Sequence, residues 1–384
     1  MRRLAAFLFS AILLNSFAHG QNPVLKGDSL VLIEHELKKI NKNINFTIAP
    51  GPEFGTSQKL GFLVVPMIVY NIDKSDHLSP PSSSALMVYF DLYGSWQLAA
   101  KQSLYWNKNK WRAFITAGGG HMKMKFFGVG KDREIISNDP SNYCWVLADG
   151  GAVSANCYRK IFASLYGGLE YLYESSTLRG EDDNSIEALK LSGITSGETV
   201  RESILIPAFI WDSRDNIFWS VKGYYAGLSL QLSNAIFFSS KNYNVITGWA
   251  NGYHKLIPGS SRLTLAWHAY MQIGWGDMPY NRYAIYTRGD DATGYTRGKY
   301  VDRSEITAQT ELRYDIWKFI GAGAYLGTGK TFPSFEVFGQ SVWLHFGGLR
   351  AYLNVIPSRN IRILLDMAFA RKDLGFYLGI GQGF

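Results

Sequence analysis

The chain has 384 residues, with 39 Lys+Arg against 31 Asp+Glu and a formal net charge of +8. It is 47% apolar and 15% aromatic, yet its mean hydropathy is only -0.07, so apolar and polar residues alternate finely instead of collecting in blocks. This excludes a disordered chain, a disulfide-dense scaffold, since there are two cysteines, and a helical membrane protein, since no run of about 18 apolar residues follows the N-terminal segment. The positive balance is too mild to argue for nucleic acid.

Residues 1–20 read as a secretory signal peptide. Arg2 and Arg3 precede an apolar core from Leu4 to Phe17, and Ala18-His19-Gly20 offers small residues for a cut before Gln21. Loss of Arg2 and Arg3 lowers the net charge from +8 to +6. Such a chain leaves the reducing cytosol, so Cys144 and Cys157 are compatible with a bridge and equally with two free thiols. In 21–43, Leu30, Ile33, Leu37 and Ile40 recur at helical spacing, and Asp28 or Ser29 can cap that helix.

From residue 44 the period changes to two. The sets Leu312, Tyr314, Ile316 and Ile361, Ile363, Leu365, Met367, Phe369 alternate with Glu311, Arg313, Asp315 and Arg362, Leu364, Asp366, Ala368. A strand puts each set on one face. Strands are expected near 44–51, 61–72, 84–93, 96–106, 111–127, 150–160, 162–174, 203–212, 223–232, 243–255, 261–275, 306–317, 320–332, 343–354, 360–370 and 375–384. A soluble sandwich alternates too. Strand lengths near ten residues, large aromatic faces and the even count of about sixteen favour an all-β transmembrane antiparallel barrel over 44–384. Connections alternate between tight ones (Asn107 to Lys110, Pro258 to Ser260) and long polar ones (128–149, 175–202, 276–305), although 73–83 is long for the tight side. Facing the lumen, Glu311, Asp315 and Asp366 need cationic partners. No nucleophile elbow, HExxH or P-loop occurs, so no enzyme, metal or cofactor is expected. His254 and His268 read as wall residues.

The segment Trp211-Asp212-Ser213-Arg214-Asp215-Asn216 to Ser220-Val221-Lys222-Gly223-Tyr224 resembles the Asp-x-Arg-Asp-Asn…Pro-Thr-Lys-Gly strand-turn-strand of the BamA/TamA superfamily, the bacterial surface antigen barrel, with Ser220 where the family often has Pro. Asp212, Arg214, Asp215 and Gly223 carry that likeness. Gly294-Tyr295-Thr296-Arg297-Gly298 and Asp302-Arg303 resemble the family's sixth outer loop. Phe126 to Gly130, Gly321 to Gly329 and Gly347 to Arg350 follow in the family's order, and Phe376, Leu378, Ile380 and Phe384 resemble its C-terminal sorting signal.

The resemblance implies a sixteen-stranded barrel in a Gram-negative outer membrane, with the sixth loop folded into the lumen. There a loop arginine would pair with acids of the inner wall. Alignment puts Thr293 at that position, with Arg288-Gly289 and Arg297-Gly298 nearby; Arg288-Gly289-Asp290 also spells an adhesion tripeptide. Assembly members carry POTRA domains ahead of the barrel, and 21–43 is too short for one. The implied function is outer-membrane protein insertion, secretion or membrane biogenesis through a weak seam between first and last strands. Tyr377, Gly379, Gly381 and Gly383 on the last strand's inner face favour loose pairing. The expected partners are outer-membrane lipid and lipopolysaccharide, unfolded outer-membrane proteins or a separate periplasmic subunit, and no nucleic acid. The rival readings are a passive pore and a surface protein acting through 175–202.

Overall fold

The structure is a computed structural model that describes residues 44–55, 58–130, 143–216, 219–286, 294–356, 360–371 and 373–380. The signal segment, the helix expected in 21–43, Thr293, Arg288 to Asp290 and Phe384 lie outside the described residues. Sixteen strands form one antiparallel sheet in which each pairs with its sequence neighbours. They are β1 (Ile44–Gly55), β2 (Gln58–Tyr70), β3 (Ser82–Asp91), β4 (Trp96–Trp106), β5 (Trp111–Phe126), β6 (Cys144–Phe162), β7 (Leu165–Gly180), β8 (Thr199–Asp212), β9 (Gly223–Ser233), β10 (Tyr243–Ile257), β11 (Ser260–Gly276), β12 (Ser304–Asp315), β13 (Ile320–Phe332), β14 (Leu344–Ile356), β15 (Ile361–Ala370) and β16 (Asp373–Ile380). One helix, α1 (Asp183–Leu191), stands between β7 and β8.

The side-chain pattern is inverted relative to a soluble sheet. On β7, Leu169, Tyr171 and Tyr173 are 49%, 47% and 42% exposed, whereas Glu170 and Glu174 on the opposite face are 2% and 0% exposed. On β12, Leu312 and Tyr314 face out and Glu311 and Arg313 face in; on β15, Leu365 and Phe369 face out and Arg362 and Asp366 face in. Apolar outside and charged inside is stable only when the outer medium is lipid. Aromatic side chains collect where strands meet the tight turns: Trp106 stacks on Trp111 at 6.2 Å and Phe162 meets Trp211 at 6.4 Å. Trp317 and Phe319 project outward at the same end. Amphipathic rings favour that depth, the membrane–water boundary.

Two prolines mark the ladders. The β2–β3 pairing is interrupted between Val64 and Met67, beside Pro66, and the β8–β9 pairing between Leu205 and Ala208, beside Pro207. Neither ring can donate to a neighbour. The long connection 71–81 is packed onto the next tight turn. Asp76 accepts from the Ser79 hydroxyl at 2.7 Å and from the Lys108 N–H at 2.6 Å, and Ser79 Oγ accepts from the Asn109 N–H at 2.6 Å. The Ser79 hydroxyl is the main reason that the Asp76 carboxyl lies well below the usual carboxylate range; desolvation opposes it and the Lys108 N–H assists.

Three expectations change. The stretch 128–149 is expected to be loop, but β6 begins at Cys144; 175–202 is likewise expected to be loop, but β7 runs to Gly180, α1 follows, and β8 begins at Thr199. Asp149, Thr177, Arg179, Thr199 and Arg201 are ladder residues here. Above the lipid the outward face meets water, so it carries Thr177, Arg179, Thr199 and Arg201, while the inward face packs Val146, Ala148 and Leu178 against α1 and the 277–303 connection; the apolar-out, polar-in contrast that identifies a lipid-facing strand is lost. Second, Cys144 and Cys157 are free thiols on the same strand. At about 3.3 Å per residue, their separation is far beyond the roughly 7 Å limit between Cα atoms of a disulfide, so the bridge left open by their spacing does not form. Third, among the described residues no hydrogen-bonded ladder closes the sheet. The edge strands β1 and β16 bring Cα atoms within 8 Å of each other, but no ladder joins them among the described residues.

Candidate functional site

The 277–303 connection between β11 and β12 enters the barrel. A 3-10 turn, Tyr280–Arg282, places Arg282 against the β7–β8 wall with 3% exposure. Its guanidinium bonds Glu174 on β7 and lies 3.2 Å from Glu202 on β8. Both acids are wholly buried. One guanidinium faces two carboxylates, and neutral donors complete the set: Asn281 Nδ2 reaches Glu174 at 3.0 Å, and the Tyr243 hydroxyl donates to Glu202. Gln272 Nε2 donates to the Arg282 carbonyl at 2.8 Å. Buried charges need such pairing and hydrogen bonding; of the guanidinium nitrogens, Nε and Nη2 are bonded to the two acids and, among the described residues, Nη1 is not bonded.

Farther along, a short ladder of Ala284–Ile285 with Val301–Asp302 closes the loop's neck. The Tyr286 and Tyr295 hydroxyls donate to the carbonyls of Leu344 and His345 on β14, at 2.9 and 2.8 Å. Gly294 N donates to the Tyr377 hydroxyl on β16 at 3.1 Å, and Lys299 Nζ reaches Asp373 at 2.6 Å. Gly294 has φ +103 and passes so close to β15 that a Cβ would sit 3.1 Å from that of Ala370. Gly298, at φ +79, also occupies the left-handed region. Arg297 is half-buried in the same loop, and Arg303 follows Asp302, whose carboxylate accepts the Arg303 N–H at 2.8 Å. The loop therefore spans the lumen, from β7–β8 to β14 and β16.

The inner-wall acids singled out from sequence are partnered by the wall itself. Arg350 grips Asp366 at 2.5 and 2.7 Å and reaches Glu311 at 2.9 Å. Arg313 holds the other Glu311 oxygen at 3.0 Å, and Arg362 holds Asp315 at 3.1 Å. These arginines come from β12, β14 and β15. Among the described residues these three acids meet three wall arginines, and the loop's Arg282 serves other acids on another wall; Arg288 and Thr293, the loop positions expected to face them, lie outside the described residues.

In the 213–222 turn, Asp212 is bonded by Arg214 at 2.9 Å and approached by Arg112 from β5 at 3.4 Å. The Arg214 guanidinium lies 3.9 Å from the Tyr225 ring centre. Asp215 accepts the N–H groups of Val221 and Lys222 at 3.1 and 3.2 Å. Gly223 has φ +103, and a Cβ there would lie 2.2 Å from the Ser213 carbonyl oxygen. On β16, Phe376 points outward at 62% exposure; the side chains of Leu378 and Ile380 lie outside the described residues.

A profile of the Omp85 superfamily domain matches residues 148–346, more than half of the chain. The chain belongs to the Omp85 superfamily. Structures that share the fold include BamA from Haemophilus ducreyi lacking POTRA domains 1-3, with TM-score 0.60 and 10% identity over 96% of this chain and 77% of that one. CdiB from Acinetobacter baumannii gives 0.55 and 10%, over 89% of this chain and 60% of that one. CdiB from Escherichia coli gives 0.57 and 9%, over 89% and 63%. At these identities the likeness is one of fold, and the chain spans less than two thirds of either CdiB. No curated protein sequence matches it. As an Omp85 barrel the protein resides in the outer membrane of Gram-negative bacteria; outer-membrane barrels carry their tight turns at the periplasmic end.

In this Omp85 barrel the buried cluster of Arg282 with Glu174 and Glu202 is only partly legible in the sequence. Glu170 and Glu174 alternate with Leu169, Tyr171 and Tyr173, a readable sign of inward acids. Nothing local marks Arg282, which lies in a Pro-Tyr-Asn-Arg-Tyr stretch of a long loop. Trp219 was also missed because turn residues carry no face.

Proposed function

We propose that this Omp85 barrel handles polypeptide or lipid at its lateral seam, between β1 and β16, in outer-membrane protein insertion, secretion or membrane biogenesis. The observation that carries this reading is the pair of unladdered edges lying side by side. Edge strands offer rows of unpaired N–H and C=O groups, which template another strand. Pro50 and Pro52 of β1 share parity, so both missing donors fall on one edge of that strand. The described parts of loop 6, 277–286 and 294–303, cross the lumen, which favours the side as the route for a client. The partners in this reading are membrane lipid and unfolded outer-membrane chains.

The test is a reversible lock. One cysteine is placed in β1 and one in β16, in a Cys144→Ser, Cys157→Ser background, and oxidised. Assembly of barrel clients in membranes containing the protein, read as heat-modifiable gel migration, is expected to stop and to recover with reductant. Undiminished assembly with the lock closed rules out the seam. The passive-pore reading would instead need large steady conductance from the intact protein in planar bilayers.

A further inference from the structure

The 213–222 turn does not stay at the rim of β8 and β9. Trp219 is 3% exposed and reaches strands well round the sheet. Its ring meets that of Tyr352 on β14 edge-on at 4.8 Å. The Arg362 guanidinium from β15 lies 4.2 Å from the ring centre, and that of Arg313 from β12 lies 4.6 Å away. Ser220, fully buried, gives its hydroxyl to Asn216 O at 2.6 Å, and its carbonyl accepts from Arg313 at 3.4 Å. Asn216 Oδ1 accepts the Trp219 N–H at 2.9 Å, which fixes the turn's shape. Both guanidiniums are already ion-paired, Arg313 with Glu311 and Arg362 with Asp315. The indole therefore sits on two positions that the wall holds rigidly.

Along β12, Glu305 lies toward the loop end, whereas Arg313 and Asp315 lie at the turn end. Trp219 is thus at the periplasmic end of the lumen, and the Arg282 cluster, near the outer ends of β7 and β8, is above it. We infer that the described parts of this turn, 213–216 and 219–222, form a second plug, a periplasmic floor in series with loop 6, and that Trp219 is its anchor. Cations attract an aromatic face more strongly away from water, and two cations on one ring give the turn a single seat. The floor is independent of the seam: it would close a passive barrel as well as an insertase.

Series closure has a diagnostic outcome. Planar-bilayer conductance is compared for the full chain, for a variant with 278–302 replaced by a short Gly-Ser linker, for Trp219→Ala, and for the two changes combined. Each single variant is expected to stay near the parent level, and the combination to rise at least about tenfold above either, a strongly non-additive result. Trp219→Phe in the loop-less protein is expected to stay closed, because a ring still occupies the seat. Heat-modifiable migration reports that each variant is folded. As a second readout, Ser220→Cys in the Cys144→Ser, Cys157→Ser background should resist a water-soluble thiol reagent with or without loop 6, and should become reactive with Trp219→Ala. The floor is refuted if loop removal alone conducts as fully as the combination, if the folded combination stays closed, or if the thiol introduced by Ser220→Cys is labelled equally with and without the Trp219 ring.

Discussion

Two walls of the barrel solve the same electrostatic problem differently. On β12–β15, Glu311, Asp315 and Asp366 are matched by Arg313, Arg350 and Arg362 from the same wall. On β7–β8, Glu174 and Glu202 have no wall arginine of that kind and receive Arg282 from loop 6. A self-neutral wall is complete before any loop arrives. A wall with excess acid is complete only when the loop is seated, so the β7–β8 acids specify where loop 6 goes. The first arrangement rigidifies the barrel; the second makes plug position and wall stability the same interaction.

The largest effect is expected at Arg282. Arg282→Ala leaves two buried carboxylates without their cation, a loss on the order of 3–5 kcal/mol. It should appear as a lower thermal transition and as protease cleavage within 277–303. Adding Glu174→Gln and Glu202→Gln should recover much of that loss, and failure to recover would mean that Arg282 acts through packing alone. On the self-neutral wall, Arg350→Gln should cost somewhat less, on the order of 3 kcal/mol, because Glu311 keeps Arg313 and only Asp366 loses its cation. Loop 6 should then stay protease-resistant. Equal loop release in both variants would erase the distinction between the walls.

Lys299→Ala removes the pair with Asp373, whose side chains are 9% and 16% exposed. A loss of about 1 kcal/mol or less is expected, with faster cleavage near 294–303 only. The smallest effect is at the cysteines. The change of Cys144 and Cys157 to serine should shift stability by about 0.5 kcal/mol or less, and an oxidant should produce no change in gel mobility without reductant. An oxidant-dependent shift in the monomer would place the two thiols together, against their positions on β6.

The fold was readable wherever lipid touches one face. Leu312-Arg313-Tyr314-Asp315 and Leu365-Asp366-Met367 announce themselves because neighbouring residues live in different media. The outer ends of β6, β7 and β8 were not readable, since outward residues such as Thr177 and Arg201 meet water instead of lipid while inward ones such as Val146 and Leu178 are apolar, which removes the lipid-facing pattern. Glu311, Asp315 and Asp366 were placed inward by parity alone, but parity says nothing about which cation arrives. That choice depends on strand register, which aligns Arg350 with Asp366, and on a loop path that no local pattern encodes. Trp219 shows the same limit, because its partners come from three strands more than ninety residues onward.

The seam is tested most directly by amide hydrogen exchange read strand by strand in the folded, membrane-inserted protein. Exchange reports whether each backbone N–H is bonded. The amides of β7, β8 and β12–β15 should be strongly protected, whereas those on the facing edges of β1 and β16 should exchange quickly even though the strands lie side by side. Protection at the β1 and β16 edges equal to that of the inner ladders would mean that the barrel is closed by hydrogen bonds, and would contradict a lateral seam.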